Sequence, residues 1–257
     1  MNIERFGNMT GNVFLWRNVR GEHEANRAFP KCGAGELHEV YADTDDRADA
    51  LAFALGWGAA RAGAGERVFV LRTARQARRV VLCGQGLASL GFDPARLTFV
   101  EAPDELALLR AGLDVARSKA GGTVLLETEG RLAPYDLTAS RRLALAAERS
   151  RCRVVLLRCR GEPRPSAARG RWLVKSAASA PLEAKAPGWP ALDIELLRWR
   201  GGPAGQRWRL EWDAGNACWR EAEREAGGDS ATALSGAVVS LAALRAGADH
   251  AGGARAA

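Results

Sequence analysis

Short apolar runs alternate with helical patterns along the middle of the chain. The apolar runs predict five strands of the kind that is buried on both faces of a sheet, at 37–41, 67–71, 97–101, 123–127 and 153–159. Helical patterns separate them at 49–61, 103–119 and 138–150. This order predicts βαβ units, and therefore an α/β fold with a mostly parallel central sheet flanked by helices.

The pattern changes after Cys159, where strand-like segments follow one another without helices between them. Three such segments lie at 171–175, 192–199 and 206–212. A glycine-rich connection at 200–205 joins the last two and favours a hairpin. We therefore predict that C-terminal antiparallel strands extend the parallel sheet.

The chain has 257 residues, which is long for one domain and short for two. We predict a single core at 34–213 and an N-terminal extension at 1–33 that is partly disordered. The Ala/Gly-rich C-terminal tail at 214–257 is expected to be partly disordered or helical, with a candidate helix at 230–245.

Cysteine usage and hydropathy limit the class of protein. The five cysteines are an odd number without CxxC spacing, and only three histidines could help them bind a metal. No stretch has the continuous apolar character of a signal peptide or a membrane span. The sequence therefore predicts a cytoplasmic protein with reduced thiols, no metal site and no membrane segment.

The turn between the first predicted strand and helix lies where a nucleotide-binding protein of this layout has its phosphate loop. Backbone N–H groups at such a helix start bind phosphate. This chain lacks the glycines, the lysine and the metal-binding hydroxyl of that loop. Its carboxylates suit a helix start without ligand and would repel a triphosphate, so we expect no bound cofactor. The vestigial loop position comprises Asp43, Thr44, Asp45, Asp46, Arg47, Ala48 and Asp49.

The positive charge is concentrated in one part of the sequence. The net charge is +7, and residues 151–213 contain 13 Lys and Arg against 6 Asp and Glu, which accounts for the whole excess. A basic surface at 151–213 would suit DNA or an acidic protein, whereas an Arg-rich composition alone would give the same count. Candidate contact residues are Arg169, Arg171, Arg198, Trp199, Arg200, Arg207, Trp208 and Arg209.

The two Arg-Trp-Arg triplets among these candidates have two structural interpretations. Cations interleaved with aromatic rings can pair with phosphates and stack on bases. In a strand, however, Trp199 and Trp208 point to the face opposite their flanking arginines, which is typical of buried tryptophans beside a solvated charged face. DNA contact, protein contact and a purely structural role all remain open at this stage.

Five motifs in the same order resemble the ImuA family, a RecA-like and SulA-related family of bacterial damage-inducible mutagenesis cassettes. Together they cover about residues 34–213, and the order of the set is more specific than any one motif. The motifs are 35–41, 86–97, 136–143, 166–172, and 195–202 with 210–213.

The resemblance implies a RecA-like core and a non-catalytic accessory role in SOS-induced error-prone translesion DNA synthesis and mutagenesis. The implied partners are an ImuB-like Y-family homologue, RecA and a DnaE2-type polymerase. Glu127 falls at the vestigial Walker B position, and the segment 72–75 stands where RecA continues to its catalytic glutamate. One acid without a phosphate loop cannot hydrolyse ATP, so the resemblance implies that the protein is not an enzyme.

Two other functions remain compatible with such a core. One is a SulA-type inhibitor of cell division, and the other is a degenerate RecA-like ATPase of DNA repair.

Overall fold

The computed structural model describes residues 29–30, 32–59, 66–79, 81–89, 91–118, 122–182, 186 and 188–222. The helices are α1 (Arg47–Ala59), α2 (Ala74–Ala77), α3 (Gly84–Ser89), α4 (Glu105–Arg117) and α5 (Leu137–Ser150). The strands are β1 (Leu37–Ala42), β2 (Val68–Thr73), β3 (Leu97–Ala102), β4 (Thr123–Glu129), β5 (Arg153–Cys159), β6 (Gly170–Ala177), β7 (Ala191–Trp199), β8 (Arg207–Asp213) and β9 (Cys218–Glu221). Most of the predicted N-terminal extension and the candidate helix at 230–245 lie outside the described residues.

All nine strands form one sheet in the order β3-β2-β4-β5-β1-β6-β7-β8-β9. The six strands from β3 to β6 in this order pair in parallel, and β7, β8 and β9 are added by antiparallel pairing. The predicted α/β architecture, a mostly parallel sheet with antiparallel C-terminal strands, is therefore confirmed. Because β1 lies between β5 and β6, the turn that follows β1 emerges near the middle of the sheet.

Aspartate caps fix the starts of the two helices that cover one face of the sheet. The Asp104 carboxylate accepts a hydrogen bond of 2.8 Å from Ala107 N at the start of α4, and Asp136 accepts one of 2.7 Å from Ala139 N at the start of α5. Each cap stabilises its helix by about 1 kcal/mol. These two helix starts are within two residues of those predicted from sequence.

An aromatic cluster fills the space between α1 and the opposite face of the sheet. Trp57 of α1 meets Trp172 of β6 edge-on, with ring centroids 5.1 Å apart. A bulge in β7 pairs Trp172 with Leu196 but the preceding residue of β6 with Arg198. Because one residue of β7 is skipped, both Leu196 and Trp199 reach the aromatic side, while Arg198 points to the other side.

The sequence pattern predicted that the core ends at residue 213, but the ninth strand extends the sheet beyond it. Trp219 of β9 is buried against α1, and its indole N–H donates a hydrogen bond of 3.2 Å to Ala52 O. Its ring also packs edge-on against Trp212, at 5.0 Å between centroids. Gly56 of α1 permits this contact, since a Cβ there would lie 2.6 Å from atoms of both tryptophans.

Replacing Gly56 by alanine is expected to lower the free energy of unfolding by about 1 to 3 kcal/mol, because an added methyl group would overpack the two indoles. Alanine also favours a helix by up to about 1 kcal/mol, so the packing term must exceed that gain. Urea unfolding followed by tryptophan fluorescence measures the difference. Gly84→Ala is the control, because its Cβ would meet only Pro94 at 3.9 Å; equal stability of both variants would contradict the close contact.

Candidate functional site

The predicted vestigial phosphate loop is a short turn between β1 and α1. The strand ends at Ala42 and the helix begins at Arg47, so the turn has the length of a P-loop. When the P-loop signature is laid on it, Ala42 and Arg47 take the places of the two glycines, Ala48 that of the lysine and Asp49 that of the hydroxyl residue. None of these four positions has the required residue type.

Arg47 crosses from the start of α1 to the carboxyl end of β4. Its guanidinium lies 3.3 Å from Glu127 Oε1 and 2.9 Å from Glu129 Oε2. Glu127 is fully buried, and Arg79 adds a second cation at 3.2 Å from Glu129. We call Arg47, Glu127 and Glu129 the Arg47 cluster. An arginine therefore supplies positive charge to two neighbouring acids at the carboxyl end of β4.

The pKa values of the two carboxylates of the cluster are shifted in opposite directions. Burial raises the pKa of Glu127, and the charges of Arg47 and Arg72 oppose that shift only in part. Burial also acts to raise the pKa of Glu129, but its hydrogen bond to Arg47 and the arginine charges outweigh it, so this pKa is lowered. Glu127 Oε2 is buried and has no hydrogen-bond partner among the described residues. Arg47 acts to lower the pKa of both acids and so favours their ionised forms.

Glu127 lies in β4 as predicted, but the strand continues to Glu129, and this second partner of Arg47 was missed. The sequence does contain a signal for it, because Glu127 and Glu129 are two residues apart in one strand and must share a face. The predicted strand stopped two residues early, at 127, so Glu129 was left in a loop.

Among the aspartates of the turn, Asp46 binds a distant part of the chain, whereas Asp43 binds its neighbour. Asp46 Oδ1 accepts hydrogen bonds from Ser176 N at 2.9 Å and Ser176 Oγ at 2.8 Å, which connects the turn to β6. Asp43 accepts one of 2.7 Å from Thr44 N. Burial and the nearby Asp46 charge raise the pKa of Asp49. Asp45 is exposed, and the turn as a whole concentrates negative charge.

A groove of about 510 Å³ borders the Arg47 cluster at the carboxyl ends of β2 and β4. Glu129 belongs to both, because it lines the groove while pairing with Arg47. In parallel α/β sheets, ligands bind outside the carboxyl ends of the strands. The rest of the lining mixes polar and apolar groups: Thr73, Arg75, Gln76, Pro103, Asp104, Glu105, Leu106, Leu108, Thr128, Ala133 and Pro134.

Two arginines of β8 pair with acids of β7 in the same hairpin. Arg207 Nε lies 3.2 Å from Glu195, and Arg209 makes two hydrogen bonds of 2.9 Å to Asp193. The positive charge that the hairpin offers to phosphate is therefore reduced. Contact with DNA or a partner through this hairpin remains a prediction.

The remaining basic candidates divide into anchored and exposed side chains. Arg198 donates to Ser166 O at 3.3 Å, and Arg169 lies 5.1 Å from the Trp199 ring centroid in a cation–π contact. Arg200 is exposed. Trp208 is buried in the aromatic side of the sheet, as the period of the strand indicated.

Arg171 belongs to a buried polar network around Glu39, which no local sequence pattern identifies. Glu39 is fully buried and accepts hydrogen bonds of 2.8 Å from Arg171 Nε, 2.8 Å from Tyr41 and 2.7 Å from Tyr135. Arg171 also reaches Ser166 Oγ at 3.0 Å. The network holds the segments before α5 and before β6 against β1, so it is part of the scaffold.

Within the described ranges, no three His, Cys, Asp or Glu side chains come together in a way that could hold a metal ion. No helix in the part of the chain that the structure describes is long and apolar enough to cross a membrane.

The chain is similar to proteins named ImuA from two strains of Caulobacter vibrioides, NA1000 / CB15N and ATCC 19089 / CIP 103742 / CB 15. Each is 39% identical over 140 residues, which is 50% of this chain and 56% of the relative. The resemblance to ImuA is confirmed. The chain spans about half the length of these curated relatives, with 56% of each covered. No family model matches it.

Two solved structures are also similar to this fold. SulA from Pseudomonas aeruginosa matches 48% of this chain and 97% of its own, with 19% identity and a TM-score of 0.36. The RadB recombinase matches 74% of this chain and 92% of its own, with 14% identity and a TM-score of 0.48.

Replacing Arg47 by alanine is expected to lower the free energy of unfolding by about 3 kcal/mol at neutral pH, because two buried or nearly buried carboxylates lose their cation. The loss should shrink as the pH falls towards 4. Without Arg47 the folded-state pKa of both acids rises, so the variant loses stability only at pH values where the acids ionise. In the wild type, the stability that comes from the lowered pKa of Glu129 is also lost as the pH falls.

Urea unfolding between pH 4 and 8 measures this dependence. Arg79→Ala is the matched control, since Arg79 is largely exposed and contacts only Glu129 of the cluster; it should cost less than about 1 kcal/mol. A pH-independent effect of Arg47→Ala would contradict the assigned charges.

Proposed function

We propose that this protein is a non-catalytic accessory factor of damage-induced mutagenesis, acting as an adaptor in SOS-induced error-prone translesion DNA synthesis. Its proposed partners are an ImuB-like Y-family homologue, RecA or both, and through them it supports a DnaE2-type polymerase. The 39% identity to ImuA supports the assignment to this process. The Arg47 cluster supports the absence of catalysis.

The ion pairs of Arg47 with Glu127 and Glu129 are the observation that carries the non-catalytic part. An active P-loop enzyme holds Mg²⁺ with a hydroxyl and an acid, and its lysine contacts the phosphates. Here Asp49 takes the position of the hydroxyl, and exposed Asp43 and Asp45 add negative charge where phosphates would bind. These like charges oppose the binding of a triphosphate.

An adaptor needs no chemical step to affect a reaction. When one protein binds two others, the second binding event takes place at the high effective concentration that the first one creates. A RecA-like scaffold without nucleotide turnover would provide fixed surfaces for that purpose. The proposal therefore assigns function to the outside of the fold.

Millimolar Mg-ATP is expected to leave the melting temperature of the purified protein unchanged, because the proposed protein does not bind it. A ligand that binds only the folded state would raise the melting temperature. The experiment compares wild type with Glu127→Gln and includes a phosphate-release assay. ATP turnover that disappears in Glu127→Gln would contradict the non-catalytic proposal and favour a degenerate ATPase.

Deletion of the gene is expected to lower the frequency of mutations induced by DNA damage, and the wild-type gene should restore it. The purified protein should also bind the ImuB-like protein, RecA or both without nucleotide. An unchanged mutation frequency, together with binding to the tubulin-like division protein, would instead indicate a SulA-type inhibitor.

A further inference from the structure

The outer surface of α4 and α5 combines exposed leucines with arginines. The two helices pack side by side on the same face of the sheet. On α5, Leu145 is 51% exposed, and helical spacing places Arg141, Arg142 and Arg149 four residues before, three residues before and four residues after it. The exposed leucine is thus bordered by three arginines and by one acid, Glu148, three residues after it.

The neighbouring helix repeats the same combination. Leu106 of α4 is 45% exposed, and Arg110 follows one turn later on the same side. Leu113 and Arg117 continue this stripe at the next turns, with Leu113 half-buried and Arg117 exposed. We call the outer sides of these two helices the α4–α5 face.

The charges of the α4–α5 face are less compensated than those of the hairpin. Among the described residues, no carboxylate lies within ion-pair distance of Arg110, Arg141, Arg142 or Arg149. Arg117 lies 4.0 Å from Asp114, at the outer limit of an ion pair. The acids exposed or half-exposed on these helices are Glu105, Asp114 and Glu148, so the face has a positive balance.

The count of charges along the sequence placed the positive region at 151–213, because such a count does not include ion pairs with acids from other parts of the fold. Arg153, Arg169 and Arg171 belong to the basic segment 151–213, but their acidic partners precede it in the chain: Glu66, Glu36 and Glu39. These pairs cancel charge that the linear count assigned to 151–213. The arginines of α5 precede that segment and have no such compensation.

We propose that the α4–α5 face is a docking surface for an acidic, amphipathic helix of a protein partner. Leucines spaced along two adjacent helices suit the apolar side of such a helix, and the surrounding arginines suit its carboxylates. The stripes of the face contain no aromatic side chain that could stack on a base. This composition favours a protein over a nucleic acid. The inference rests on the proposed adaptor function and specifies the surface that performs it.

The test uses the full chain with Arg141, Arg142 and Arg149 all changed to glutamate. All three side chains are exposed, so urea unfolding should remain close to wild type. The matched control carries Arg67→Glu, Arg78→Glu and Arg160→Glu, which makes the same change in net charge at exposed positions outside the face. Binding is measured against the purified ImuB-like protein, RecA and DnaE2-type polymerase, and against single- and double-stranded DNA.

The α5 triple variant is expected to bind at least one of the three proteins about tenfold or more weakly, while the control retains wild-type affinity. Leu145→Ser should weaken the same interaction several-fold, whereas salt should weaken only the contribution of the arginines.

Three results would overturn the inference. If the triple variant binds as the wild type does, the α4–α5 face is not the docking surface, while the adaptor proposal stands. If only DNA binding is lost, the face contacts nucleic acid instead. If the wild-type protein binds none of the three proteins, both this inference and the proposed function fail.

Discussion

The ion pairs between Arg47 and the acids of β4 determine how the centre of this molecule is organised. Strand β5 separates β1 from β4 in the sheet, so the start of α1 must reach across it to contact Glu127, which is 80 residues away in sequence. The carboxylate of Glu127 is fully buried and would be costly to ionise alone. Arg47 reduces the cost of that burial, and at the same time it ties the turn between β1 and α1 to β4.

Local patterns predicted most of the central sheet and the three long helices. Four of the five predicted parallel strands are short apolar runs that are mostly buried, as in β5, whose seven residues are all buried. The fifth, β3, lies at the edge of the sheet and is mostly half-buried or exposed, contrary to the prediction of burial on both faces. Asp104 and Asp136 mark helix starts that are readable without any tertiary information. The short helices α2 and α3 and the strand β9 were missed, because four to six residues are too few to show a period.

The candidate site was predictable only in what it lacks. Missing glycines and lysine are visible in sequence, so the loss of the phosphate loop could be inferred at once. The pairing of Arg47 with Glu127 could not be inferred, because nothing near residue 47 identifies an acid 80 positions later as its partner. The same limit applies to Glu39, whose contact with Arg171 spans 132 positions. It also applies to net charge, since a linear segment such as 151–213 is not a surface.

Two acids held side by side at the carboxyl end of β4 need compensation from the rest of the chain. Neighbouring carboxylates repel one another, and each raises the pKa of the other. Arg47 lies 3.3 Å from Glu127 and 2.9 Å from Glu129, and Arg79 adds a second cation 3.2 Å from Glu129. The arginines come from segments far from β4 in sequence, so the charge balance of this strand depends on the packing of α1 and of the segment after α2 against its end. A change in that packing would expose the two acids to their mutual repulsion, which is why Arg47 is central to the stability of the fold.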